Sequence, residues 1–220
     1  MNSMLEIQGI HVSIQSVAVL RGLSLNVPER SMVGLVGRNG AGKTTLMRSL
    51  MGHLRPSQGR IRFDGHDLCT LAPHERALLG IGYMPEDRGL VPELTVEENI
   101  LLPVWTNRKL SESERLAFVY GILPEMQEMR SRRALLLSGG QQKLVALGRA
   151  LAVGTRMLLL DEPFEGVAPA LSKRLADVIL KLKSSNLSIL ISQSDLNHSR
   201  RIVESEYTIE RGANVGTAQP

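Results

Sequence analysis

The segment Gly37-Arg38-Asn39-Gly40-Ala41-Gly42-Lys43-Thr44 has the spacing G-x-x-x-x-G-K-T, and a second threonine, Thr45, follows it. Glycines in this pattern let the backbone turn so that successive N–H groups point into one concavity, a nest for anionic oxygens. A helix beginning at Lys43 aims its positive N-terminal end at the same anion. The Lys43 ammonium is then placed to reach β- and γ-phosphates, and the Thr44 hydroxyl to ligate Mg²⁺. A glycine-rich turn that binds nothing is the plain alternative. The apolar run Met32-Val33-Gly34-Leu35-Val36 before it and the helical pattern after it argue against that.

Two further stretches complement it. In Met157-Leu158-Leu159-Leu160-Asp161-Glu162, four apolar residues describe a central strand that delivers a carboxylate to its C-terminal edge, where open α/β sheets bind ligands. Asp161 is suited to hold Mg²⁺, directly or through water. Glu162, projecting differently, is suited to polarise an attacking water as a general base. In Leu137-Ser138-Gly139-Gly140-Gln141, Ser138 and Gln141 form an S-x-x-Q capping box. A cap alone gains nothing from two glycines in the first turn, where they cost helix stability. A glycine-rich helix start does expose N–H groups to a phosphate. One nucleotide already has such a site at residues 37–45, so a second implies another molecule's nucleotide, and hence a dimer.

The elements that must position these residues alternate. The first third is β-rich, with Leu25-Asn26-Val27 alternating and a short strand over 59–65. The helix from Lys43 is expected to stop at Gly52, and Pro73 opens a short helix closed by Gly80. A strand over 81–84 precedes a long helical stretch, in which Thr95/Glu98 and Ser111/Glu114 have capping-box form. Strand patterns return at 157–161, 188–192 and 207–210. Between the first two lies a helix with Leu171, Leu175, Val178, Ile179 and Leu182 on one face. Such alternation predicts an α/β fold: a mostly parallel sheet covered by helices on both faces, with a small antiparallel β part and a helical insertion over 87–154.

Composition sets the outer bounds. The chain has 220 residues, 43% hydrophobic and 22% charged, enough for one large domain or a domain with a subdomain. Its one cysteine, Cys69, excludes an intramolecular disulfide and a Cys-based metal site. No secretory signal pattern is visible, and no apolar run approaches the roughly 20 residues of a spanning helix. The 26 basic against 22 acidic residues give a mild net charge of +4. The cluster Arg130, Arg132, Arg133 reads as a solvated helix end, so no nucleic-acid partner is expected.

The LSGGQ segment at 137–141, lying between the phosphate loop and the Asp161–Glu162 strand, resembles the signature of ABC-type ATPases, and the resemblance spans essentially the whole chain. It implies a P-loop NTPase core (1–86 and 155–220) with a helical signature subdomain (87–154), forming one nucleotide-binding domain. It further implies ATP and Mg²⁺ as cofactors, a head-to-tail pair of such subunits, homo- or heterodimeric, whose Ser138–Gln141 segment, Gln141 included, closes over the nucleotide, and contact of Ser138, Gly139 and Gly140 with the γ-phosphate in trans. Family positions that usually carry Gln, His and Asp hold Glu86 (metal and nucleotide sensing), Gln193 (γ-phosphate sensing) and Ala168 here; His198 comes too late for the second.

These departures, with the stretch over 85–100, look like the ATP-binding subunits of branched-chain amino-acid importers. The resemblance therefore adds transmembrane permease subunits and a substrate-binding protein as partners, at the cytoplasmic side of the membrane. The aromatic residue that stacks on adenine in the family would fall at Ile14, so looser adenine binding is expected. A soluble ABC-type ATPase acting on nucleic acid or ribosomes would share every motif; such proteins generally carry paired domains or inserted arms.

Overall fold

A computed structural model describes residues 3–195 and 201–215 of the chain; His198 lies outside them. Two sheets form the frame. Strands β1 (Ser3–Ile14), β2 (Val17–Pro28), β4 (Gln58–Phe63) and β5 (His66–Asp67) make an antiparallel sheet in the order β2-β1-β4-β5. Strands β3 (Met32–Val36), β6 (Ile81–Met84), β7 (Met157–Asp161), β8 (Ser188–Gln193), β9 (Ser205–Glu210) and β10 (Ala213–Asn214) make the second, in the order β10-β9-β3-β8-β7-β6. Its pairs are parallel except β9 with β10.

The continuous apolar runs of the central strands have a direct cause: both faces are covered. Met157 and Leu159 of β7 pack with β1, β2, β4 and helix α1 (Lys43–Leu50), whereas Leu158 and Leu160 face the opposite core. Strand β8 divides in the same way, with Leu190 on the first side and Ile189 and Ile191 on the second. That second core takes in helices α3 (Val96–Trp105), α6 (Gly139–Val153) and α7 (Pro169–Lys181), together with Val119 of α4 (Glu112–Ile122) and Met126 of α5 (Pro124–Glu128). The helical stretch therefore packs on the sheet's own core. Helix α2 (Pro73–Leu78) sits beside β6.

Capping explains where the helices begin. The Thr95 hydroxyl accepts from the Glu98 N–H and the Glu98 carboxylate accepts from the Thr95 N–H at 2.7 Å, a complete box. Ser111 caps α4 through its hydroxyl, at 3.4 Å from the Glu114 nitrogen. One detail of the expected α7 stripe differs. Ser172, Leu175, Val178 and Ile179 are buried, while Leu171 is only partly so and lays a methyl against Gly140. Arg130, Arg132 and Arg133 are exposed just beyond α5.

Strand register creates the functional edge. Val36 pairs with Gln193, Asp161 with Ser192, and Met84 with Leu160. The C-terminal ends of β3, β8, β7 and β6 therefore lie side by side, and the chain leaves them at Gly37, Ser194, Glu162 and Pro85.

Candidate functional site

The loop after β3 is a tight turn. Gly37 donates its N–H to the Gln193 carbonyl at 3.1 Å, and a Cβ there would lie 2.3 Å from the Ile209 carbonyl oxygen. Gly42 has φ 111°, a conformation that side chains disfavour, and opens α1. Asn39, Gly40, Gly42, Lys43, Thr44 and Thr45 line a cleft of about 320 Å³, together with Val19, Glu86, Glu162 and Glu165. Gly37, Arg38 and Ala41 face a neighbouring cavity, and Arg38 is exposed; its carbonyl, not its side chain, meets Lys43, at 3.0 Å.

Lys43 is 4% exposed. Its ammonium donates to the Gly37 and Arg38 carbonyls and forms an ion pair with Glu162 at 3.0 Å, a pair whose side chains are almost wholly out of water. The Glu162 carboxylate also accepts from the Ser194 N–H at 3.2 Å and the Ser194 hydroxyl at 3.4 Å. At φ 47°, Glu162 turns away from the strand direction of Asp161. Its N–H donates to both the carbonyl and the hydroxyl of Ser192, which fixes that turn. The two adjacent carboxylates thus leave β7 with different surroundings.

Asp161 is fully buried, accepting from the Ser192 hydroxyl at 2.5 Å and the Tyr83 hydroxyl at 3.4 Å. Burial holds its carboxyl above the usual aspartate range, the hydroxyls of Ser192 and Thr44 oppose the shift, and the charges of Glu86 and Glu162 add to it. A dry carboxylate between like charges favours a cation. Thr44 donates to Glu86 at 3.4 Å, so Thr44, Glu86 and Asp161 offer the hard oxygen donors Mg²⁺ takes beside substrate phosphates. Gln193 is 5% exposed and shares a second, smaller cavity with Glu162, Phe164, Glu165, Ser194 and Asp195.

The Ser138 segment is built as a cap and stands apart. The Ser138 hydroxyl accepts from the Gln141 N–H at 3.3 Å, and the Gln141 side chain accepts from the Ser138 N–H at 3.0 Å. Ser138 and Gly139 are exposed at the start of α6. None of residues 138–141 lines the cleft of Lys43 and Glu162. Ile14, at the end of the β1–β2 hairpin, is 40% exposed and pairs with Val17, which is 65% exposed. Val19 continues this aliphatic surface into the cleft.

Sequence reasoning missed Tyr83, Ser192, Ser194 and Lys143. Ser192 and Ser194 flank Gln193 and carried a detectable signal, two hydroxyls at the end of a central strand. Lys143 lies one turn into α6, between Gln142 and Leu144, where the helical pattern gave no hint of its target.

Residues 20–165 match the family described as "ABC transporter". The lipopolysaccharide export system ATP-binding protein LptB of Haemophilus influenzae is 33% identical, over 99% of this chain and 91% of its own. The branched-chain amino acid transport ATP-binding protein BraG of Pseudomonas aeruginosa is 30% identical, over 95% and 90%. Among solved structures, a nucleotide-free ATP-binding cassette from an ABC transporter superposes with a TM-score of 0.84 at 28% identity, covering 98% of this chain and 90% of that one. With its phosphate loop, paired carboxylates and LSGGQ helix start all in place, the chain belongs to the ABC transporter family as an ATP-binding cassette ATPase.

Proposed function

We propose that the chain powers a membrane transporter as one of two cassettes, with Mg²⁺-ATP held between one copy's phosphate loop and the other copy's Ser138–Gly140 segment. One observation carries this reading. The chain has two glycine-rich helix starts fit for phosphate, and they do not line one cleft. A second subunit, facing head to tail, would supply what each cleft lacks. In that arrangement Lys43 grips the phosphates, Glu162 takes the proton of the attacking water, and Gln193 reads the γ-phosphate from the adjoining cavity. When bound, Mg²⁺ neutralises phosphate charge; Thr44, Asp161 and Glu86 would hold it.

The Glu162→Gln variant, incubated with ATP, is expected to sediment as a dimer and the wild type without nucleotide as a monomer. A further Ser138→Arg change should dissolve the dimer. A monomer at saturating ATP, with binding verified, would refute the paired arrangement.

Several side chains support docking of membrane subunits on the helical stretch. Val91, Trp105, Leu135 and Leu136 are large, apolar and between 38% and 61% exposed. Among the described residues no helix is long and apolar enough to cross a membrane. In this reading the membrane subunits hold the chain at the cytoplasmic face. For the transported solute, Glu86, Gln193 and Ala168 favour the branched-chain amino-acid importer type, with a substrate-binding protein. LptB relatives at 32–33% identity favour an export system equally well. The identity of co-purifying membrane proteins decides between them.

The hairpin gives a prediction about the base. An aliphatic surface of Ile14, Val17 and Val19 offers adenine contact area without ring stacking. Stacking on an aromatic side chain contributes about 1–3 kcal/mol. Ile14→Tyr should therefore tighten ATP binding by about 5- to 150-fold with little change in kcat. Titration with ATP checks it, and unchanged affinity would mean the base lies elsewhere.

A further inference from the structure

Lys143 is a charged residue that the proposed chemistry leaves unused, yet it is only 2% exposed. It sits on α6, one turn after the Ser138 cap. Its ammonium donates to the carbonyls of Glu162 at 3.0 Å, Pro163 at 3.4 Å and Glu165. An ammonium has three donors. All of them go to a single turn of backbone, the one that carries Glu162. Burial and the nearby Arg88 cation push its pKa down, while Glu165, Glu162 and Glu86 push it up.

A buried charge is costly, and ordinary core packing is served better by an apolar side chain. The target of Lys143 is informative. Glu162 holds φ 47°, a conformation uncommon for a side-chain-bearing residue, and it is fixed from two directions. Ser192 accepts from its N–H, and Lys143 donates to its C=O. The ammonium reaches the backbone of Glu162 and Lys43 reaches its carboxylate, so the two lysines act on different atoms of the same residue.

We propose that Lys143 is a positioning residue that holds the Glu162 turn in its working geometry and fastens it to the helix bearing the Ser138 segment. Through this strut, a displacement at the start of α6 shifts the carboxylate of the same subunit. The proposal rests on reading Glu162 as the general base. A misplacement of order 1 Å at a reacting group costs about 100-fold in rate. A strut of this kind controls turnover and leaves nucleotide affinity alone, because Lys143 is not among the cleft-lining residues.

The test compares Lys143→Met, which keeps length and loses every donor, with Lys143→Arg and Lys143→Gln, which keep donors. For Lys143→Met, kcat should fall about 10- to 100-fold while the Kd for ATP stays within about twofold. Lys143→Arg should recover part of the rate. In a Glu162→Gln background, Lys143→Met should lower the residual rate by less than about twofold, since its target is already disabled. A full additional loss in that background, a parallel rise in Kd, or an unchanged kcat overturns the proposal. If Lys143→Met does not fold, Lys143→Leu, which also lacks every donor, carries the same comparison, judged by the same three readouts. Failure of the base reading shows separately, as normal turnover by Glu162→Gln alone.

Discussion

Glu162→Gln is expected to lower ATP turnover by about 100- to 10,000-fold and to leave ATP binding intact or tighter. The amide cannot accept a proton from water, so the loss falls on the chemical step. Its oxygen can still accept from the Ser194 N–H and hydroxyl, so the side chain keeps its place. Binding should not suffer because of what Lys43 does. Its ammonium forms an ion pair with the Glu162 carboxylate at 3.0 Å, and a phosphate must compete with that anion for the same cation. Removing the negative charge removes the competitor. Phosphate release under saturating ATP measures the first effect, and equilibrium titration the second. Unchanged turnover would eliminate Glu162 as the base; weaker binding would eliminate the competition.

The ion pair also marks a boundary between what a linear reading reveals and what it does not. The functional strand ends were legible, that of β8 one residue short at Ser192, because a parallel sheet buried on both faces demands unbroken apolar runs that stop near the ligand edge. Met157–Asp161 is such a run, and its bounds were readable to the residue. The phosphate loop and the Ser138 cap were legible for a different reason: glycine, lysine and hydroxyl residues at fixed offsets satisfy local geometry.

Contacts set by strand order were not legible. That Asp161 meets Ser192, and that Glu162 meets Lys43 and Ser194, follows from β8 lying between β3 and β7, a crossover that local pattern cannot specify. Strand β1 was obscured by register shifts, one of them spanning Ile7 to Ile10 around Gly9 at φ 57°, which break its alternation. Leu171 matched the apolar period of α7 and packs against the core, but it is only partly buried, with a methyl against Gly140. Function was readable where chemistry is local. Coupling between parts of the site needed the fold.

Lys43→Met should produce the largest combined effect: no measurable ATP binding, and a nucleotide-free protein that is itself less stable. The binding loss follows from removing the cation that faces the phosphates. The stability loss follows from what remains. Glu162, 5% exposed, would face an apolar stem in place of its cation, and the Gly37 and Arg38 carbonyls would each lose a donor. Removing one partner of a buried pair costs about 3–5 kcal/mol. In a chain of this size that lowers Tm by about 6–20 °C. The double variant Lys43→Met with Glu162→Gln separates the two effects. A neutral amide is far cheaper to bury than an unpaired carboxylate, so most of the lost stability should return while ATP binding stays absent. Thermal unfolding of the two variants, each without nucleotide, makes the comparison. If Lys43→Met unfolds at the wild-type temperature, the Glu162 carboxylate does not depend on this lysine, and the competition for it that underlies tighter binding by Glu162→Gln falls as well.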